Sequence, residues 1–156
     1  EQHLASALPI LEALDTTTIL SDSYTTGFLL SHTKHYGVYS EYLFQAYLVP
    51  HTELAERYCV SEYPLPGELK RDPRILNWNI QLDPTLREEF HTRQDSIVST
   101  ACALVKTDMA ERLKSYDVEY LFWDEKRQPE WDPTDYRVDL DLVEQEEGWS
   151  LWIMND

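Results

Sequence analysis

The residues with the most chemical potential lie in the stretch TILSDSYTTGF, residues 18–28. An apolar, β-branched run passes into a polar turn that contains Asp22, Ser23 and Thr25, and then into an apolar helix pattern. Many α/β proteins bind a phosphate where a strand, a tight turn and a helix follow one another, because the free N–H groups of the helix N-terminus attract anions. These three side chains are therefore candidate ligand-binding residues.

The glycine content argues against the known phosphate-binding loops. The chain has four glycines, at positions 27, 37, 67 and 148, and no two of them stand close together. A dinucleotide fingerprint or a Walker loop needs closely spaced glycines, so neither is present and we predict no cofactor. Hydroxyl side chains at such a turn are also common as simple caps and turn formers, which is the more ordinary interpretation.

A second candidate site combines aromatic rings with carboxylates in FWDEKRQPEWDPTDY, residues 122–136. Trp123 and Trp131 offer faces that can stack on a sugar ring, and Asp124 can accept hydrogen bonds from its hydroxyls. The favoured alternative is that Trp123 ends a buried strand while Trp131 pins the loop to the domain, because large aromatic side chains usually bury most of their area.

Metal and nucleophilic chemistry find little support in the sequence. His32 and His35 are three positions apart, but they lie where a helix gives way to a strand and no third ligand follows at a recognisable spacing. The acidic residues near the end of the chain do not follow the order of a calcium loop. No serine is flanked by nucleophile-elbow glycines. We therefore predict no metal site and assign no catalytic residue.

Charge and cysteines narrow the context. The formal net charge of −16 repels phosphate backbones and anionic lipids, so nucleic acid is not an expected partner. Cys59 and Cys102 match no zinc or redox spacing. We favour buried free thiols, with one disulfide as the alternative. No apolar run approaches the length of a transmembrane helix, and the chain begins at Glu1 rather than at a methionine, so we expect a non-inserted piece of a longer protein.

Hydrophobic periodicity predicts strands that alternate with helices. A helix that Pro9 kinks or restarts precedes a short buried strand in TTTILSD, residues 16–22, and a second short strand follows at 37–40. Ser40 and Thr52 are candidate N-caps of two further helices. Residues 74–82 fit a strand or a packed loop equally well.

The second half of the chain contains the clearest pattern. A long helix begins at Pro84, with a break near Arg93, and ends by Asp117. VEYLFW, residues 118–123, follows directly as a strand, which is typical of a crossover to a parallel pairing. Two runs around the turn EEG then predict an antiparallel hairpin. We expect one α/β domain over residues 1–156, layered and Rossmann-like, with a mixed sheet and flanking helices.

This order of segments resembles a group of extracytoplasmic C-terminal domains that belong to multi-spanning membrane proteins related to the GT-C glycosyltransferases. ALPILEAL before the strand and the LSDSYTTGFL turn are similar to that pattern, as are HTKHYGVYSE, MAERLKSYDVEYLFWDE and the closing LVEQEEGWSLWIM. The chain departs from the pattern at Lys34 and His35, where a glycine often stands, and in the middle segment 41–82.

The resemblance implies a non-catalytic accessory domain on the extracytoplasmic face of a membrane, which helps to hold a glycan or contacts the transmembrane part of its parent. It implies that the catalytic acid of the parent lies near the transmembrane helices, outside this chain. The alternative is a small stand-alone α/β enzyme or ligand-binding protein. Its site would lie at the C-terminal ends of the parallel strands and would use Asp22, Ser23 and Asp124.

Overall fold

The computed structural model describes residues 2–40, 49–63 and 84–155 of the chain. Within these ranges five strands form one mixed sheet in the order β2-β1-β3-β5-β4. β1 pairs in parallel with both β2 and β3, β5 runs antiparallel to β3, and β4 runs antiparallel to β5. The predicted layered α/β fold with a mixed sheet is confirmed. The strands are β1 (Thr18–Leu20), β2 (Tyr36–Gly37), β3 (Val118–Trp123), β4 (Leu140–Glu146) and β5 (Trp149–Met154).

Helices cover both faces of this sheet. In the part of the chain that the structure describes, two short 3₁₀ helices, Gln2–Ala7 and Pro133–Tyr136, accompany five α-helices. In the described ranges, no helix combines the length and the apolar character needed to cross a bilayer. The α-helices are α1 (Leu8–Ala13), α2 (Ser23–His32), α3 (His51–Ser61), α4 (Pro84–Thr107) and α5 (Met109–Ser115).

Among the described residues the core has two parts, one on each face of the sheet. The N-terminal 3₁₀ helix, α1 and α2 pack on one face around Ile19, Phe122 and Trp149, and we call this the smaller cluster. On the other face, α3, α4 and α5 pack on Leu121 and its neighbours, and we call this the larger cluster. Each face of a central strand therefore meets helices, as in other α/β proteins of three layers.

Several predicted boundaries differ from the structure. Pro9 does restart the helix, since a 3₁₀ turn precedes it and α1 contains it in its first turn. The predicted break near Arg93 is wrong, because α4 runs unbroken to Thr107. The helical pattern is interrupted instead at Asp108, after which α5 begins. Thr52 is not the N-cap of α3. That helix begins after Pro50, whose fixed φ suits a helix start. The helix predicted after Ser40 and the segment 74–82 fall outside the described residues.

Two local geometries explain how the strands are placed. Asp117 has a left-handed φ of 52°, which ends α5 and turns the chain directly into β3. At Gly37, a Cβ atom would collide with the Cγ2 atom of Thr26, so β2 passes beneath α2 at a distance that only glycine permits. Because β1 and β3 pair in parallel, their C-terminal ends lie at the same edge of the sheet.

The two cysteines form a disulfide. Cys59 on α3 and Cys102 on α4 are joined across a sequence separation of 43 residues. The favoured interpretation as free thiols is therefore wrong. The sequence left a disulfide only as the alternative, because the pairing depends on α3 and α4 packing side by side over the larger cluster.

Candidate functional site

The predicted polar residues lie at the topological switch point, where the order of the strands reverses at β1. From β1 the chain crosses through α2 to β2 on one side, and later returns to β3 on the other side of β1. Ligands of open α/β sheets bind in the crevice that such a reversal leaves at the C-terminal strand ends. Asp22 follows β1 and Asp124 follows β3, so both lie at this switch point. The hydroxyl of Ser21 donates to the carbonyl of Phe122 over 2.7 Å and ties the two strand ends together.

Asp22 is the N-cap of α2. Its Oδ1 accepts hydrogen bonds from the backbone N–H groups of Tyr24 at 3.0 Å and Thr25 at 3.1 Å. These donors are among the groups that a helix N-terminus otherwise leaves without partners, so the side chain stabilises the helix start. The residue is only 1% exposed. A carboxyl in this position has a structural role whether or not it also meets a ligand.

The environment of Asp22 disfavours its charged form. Burial raises the pKa of the Asp22 carboxyl above its ordinary value, and the neighbouring Asp124 carboxylate adds to the rise. The nearby Thr25 hydroxyl and the two backbone N–H donors offset part of this rise in pKa. A buried carboxyl with a neighbouring like charge therefore holds its proton to a higher pH than an exposed one.

Asp124 is held by two parts of the chain. Its Oδ1 lies 2.7 Å from Nε2 of His3, in the N-terminal 3₁₀ helix, and accepts the N–H of Arg127 at 3.1 Å. Its side chain is 2% exposed, whereas that of His3 is 21% exposed. The contact therefore anchors the start of the chain over the strand end. The Arg127 guanidinium also lies over the ring of Tyr24 and so joins this turn to α2.

The C-terminal end of α3 lies beside the first turn of α2 at the switch point. The N–H of Ser23 donates to Oε1 of Glu62 at 3.2 Å, which links the first turn of α2 to the end of α3. Tyr136 donates to the carbonyl of Val60 at 2.6 Å, and Trp131 Nε1 donates to the carbonyl of Ser61 at 2.7 Å. Carbonyls at a helix end have no partner within the helix, so these side chains satisfy them.

Three buried polar atoms at this location have no hydrogen-bond partner among the described residues. They belong to side chains that are 0–1% exposed, on the first turn of α2 and at the end of α3. Buried polar atoms are normally satisfied, and an unpaired one is costly. The atoms are Oδ2 of Asp22, Oγ1 of Thr25 and Oγ of Ser61.

The structure brings some predicted site residues together and separates others. Asp22, Ser23, Thr25 and Asp124 all lie at the switch point. Trp131 instead lies in the larger cluster, 5% exposed, with its ring 5.5 Å from that of Tyr136. This burial agrees with the packing role of the alternative interpretation.

Trp123 is half-buried at the end of β3. Its Nε1 donates to the carbonyl of Gln128 at 2.8 Å, across the turn that follows the strand. The ring packs against the larger cluster. A ligand-binding role for either tryptophan stays a prediction.

Sequence reasoning missed His3 and Glu62. His3 precedes the first helical stripe as an isolated polar residue, and Glu62 follows α3 in the same way. No local sequence pattern connects either residue with the switch point. The contact of His3 joins residues 121 positions apart, and that of Glu62 joins residues 39 positions apart. No group of three metal-ligating side chains is placed to hold a metal ion in ranges 2–40, 49–63 and 84–155.

Comparison with known proteins does not identify a class for this arrangement. No family model matches the chain, and neither a curated protein nor a solved structure matches it significantly.

Proposed function

We propose that this chain is a non-catalytic accessory domain of a larger membrane protein of the GT-C glycosyltransferase type, located on the extracytoplasmic side, where it helps to hold a glycan or a partner. The observation that carries the proposal is the internal use of both switch-point carboxylates. Asp22 caps α2, and Asp124 holds His3 and the turn at Arg127. A general acid or base must reach the substrate proton, and neither buried carboxyl is presented to solvent.

The disulfide supports the proposed location. Disulfides persist in oxidising compartments and are rare where thiols are kept reduced. Cys59 and Cys102 join the two helices that cover the larger cluster. Two of the segments on which the resemblance rests form regular elements: LSDSYTTGFL contains the last residue of β1 and most of α2, and the closing run contains most of the hairpin of β4 and β5.

The test uses the complete natural protein. The reading frame upstream of Glu1 should encode a series of transmembrane helices, and a thiol-reactive reagent that cannot cross membranes should label an exposed cysteine engineered at Glu130, outside the core. A frame without transmembrane segments overturns the proposal, and so does labelling only after the membrane is permeabilised. An engineered cysteine in a cytoplasmic loop of the same protein serves as the matched control.

A second candidate function follows from the three unpartnered buried oxygens. They favour a ligand-binding protein that holds a small polar ligand at the switch point. Thermal-shift screening of phosphates, nucleotides and sugars tests this function on the native domain and on Asp22→Ala. A stabilising compound whose effect disappears in the variant supports it. A screen without a hit on the native domain contradicts it.

A further inference from the structure

The outer strand of the hairpin forms an open edge of the sheet. β4 pairs with β5 on one side only, and no other described strand lies against its second side. Every residue of β4 after Leu140 is exposed, and the apolar Leu142 and Val143 are 48% and 42% exposed. A strand edge of this kind offers unpaired backbone N–H and C=O groups to another extended segment.

A β-bulge sorts the side chains of β4 onto two chemically different faces. The register shifts between Leu142 and Glu144, so Val143 is the extra residue. Residues directly opposite one another on paired strands share a face. Leu140 lies opposite Met154 and Leu142 opposite Trp152, on the face of the larger cluster.

Three acidic residues occupy the other face. Asp141 lies opposite Ile153, Glu144 opposite Leu151 and Glu146 opposite Trp149. Without the extra residue at position 143, Asp141 and Glu144 would point to opposite faces, because the side-chain period of a strand is two. The bulge therefore collects all three carboxylates on one side of the edge and leaves the leucines on the other.

We propose that the outer edge of β4 binds an extended segment of a partner protein in which apolar and basic side chains alternate. Main-chain pairing would add a sixth strand, whose apolar side chains extend the face of Leu142 and whose basic side chains meet the three carboxylates. Charge complementarity selects this occupant. A second copy of the chain would oppose acids to acids, and like charges on neighbouring strands are destabilising. This inference does not depend on the membrane assignment.

The test uses short peptides as probes of the native domain. One alternates valine and lysine, a second alternates valine and glutamate, and a third has the first composition with valines and lysines in separate blocks. The first should bind most tightly, weaken as sodium chloride is raised, and slow hydrogen exchange at the β4 amides. Equal binding of the alternating and block peptides overturns the proposal, because a strand is not then being recognised. Unchanged hydrogen exchange at the β4 amides also overturns the proposal. The acidic residues and the bulge would then serve only to prevent pairing between copies of the chain.

Charge-reversal variants locate the binding site. Reversal of the three face carboxylates should weaken binding of the alternating peptide by about tenfold, the combined effect of three exposed ion pairs. A control variant changes the net charge equally at exposed acids away from β4. An equal loss in both variants contradicts the proposal, and unchanged amide shifts of β3 show that each variant is folded. The test variant carries Asp141→Lys, Glu144→Lys and Glu146→Lys, and the control carries Glu111→Lys, Glu130→Lys and Asp135→Lys.

Discussion

The parallel half of the sheet and the antiparallel hairpin differ in whether their acidic side chains are buried or exposed. At the ends of β1 and β3, Asp22 and Asp124 are both 1% exposed and make hydrogen bonds within the chain. Along β4, the acidic side chains are exposed, and Asp141 accepts one exposed hydrogen bond, from Nδ2 of Asn155 at 3.1 Å. Buried carboxylates contribute to one defined structure, because each must have its partners. Exposed ones cost little and remain available to a partner.

Removing the disulfide should have the largest effect on the stability of the domain. Cys59 and Cys102 close a loop of 43 residues over the larger cluster. Replacing both with alanine should lower the free energy of unfolding by about 4 kcal/mol in the chain-entropy estimate. Urea denaturation of the oxidised domain and the double variant measures this. The same result should follow from reduction of the native domain, and a domain equally stable with free thiols would contradict the role given to this link.

A matched pair of leucines compares the two halves directly. Leu121 on β3 is fully buried, whereas Leu142 on β4 is 48% exposed. Leu121→Ala should cost about 3 kcal/mol, since it removes buried contacts and leaves a cavity. Leu142→Ala should cost less than about 1 kcal/mol, in line with exposed positions. Equal losses in urea denaturation would show that β4 is covered in solution.

His3 connects the N-terminus to the switch point. In His3→Ala, the buried Asp124 carboxylate loses the partner that lies 2.7 Å from it, which should cost about 2 kcal/mol. Hydrogen exchange should speed up in the 3₁₀ helix Gln2–Ala7 more than in β5. Gln2→Ala, at an exposed position of the same helix, is the control and should change stability little. A His3 variant that behaves like this control would show that the contact does not anchor the helix.

The smallest expected effect is a pH dependence at Asp22. Because the pKa of this carboxyl is raised in the folded state, the folded chain binds the proton more tightly than the unfolded chain. The resulting stability is present below the unfolded pKa, near 3.8, and is lost as the pH rises through the folded pKa. Asp22→Asn keeps an oxygen acceptor for the cap but does not titrate. The native domain should therefore lose stability relative to this variant as the pH rises from 4, and a constant difference across the titration would contradict the raised pKa.

The sequence predicts elements better than contacts. VEYLFW was identifiable as β3, and the EEG turn as a hairpin, because their alternation and turn residues are local. Gly148 has a φ of 104° at that turn, which glycine adopts without strain. The disulfide and the contact between His3 and Asp124 were not predictable, because each joins distant segments that only the packed helices bring together. Asp22 and Asp124 were predicted as candidates, but their caps and burial required the three-dimensional arrangement.

The position of β1 has a consequence for the order in which the chain folds. This strand of three residues lies between β2, which follows it closely, and β3, with which Thr18 pairs at Val118. During synthesis, β1 leaves the ribosome early but waits for most of the chain before its second partner exists. Pairings so distant along the chain close slowly, because the entropy of a long loop must be overcome first. The hairpin of β4 and β5 joins strands that are adjacent in the sequence, so it can close quickly once both strands are made and can then pair with β3, beside which β1 assembles.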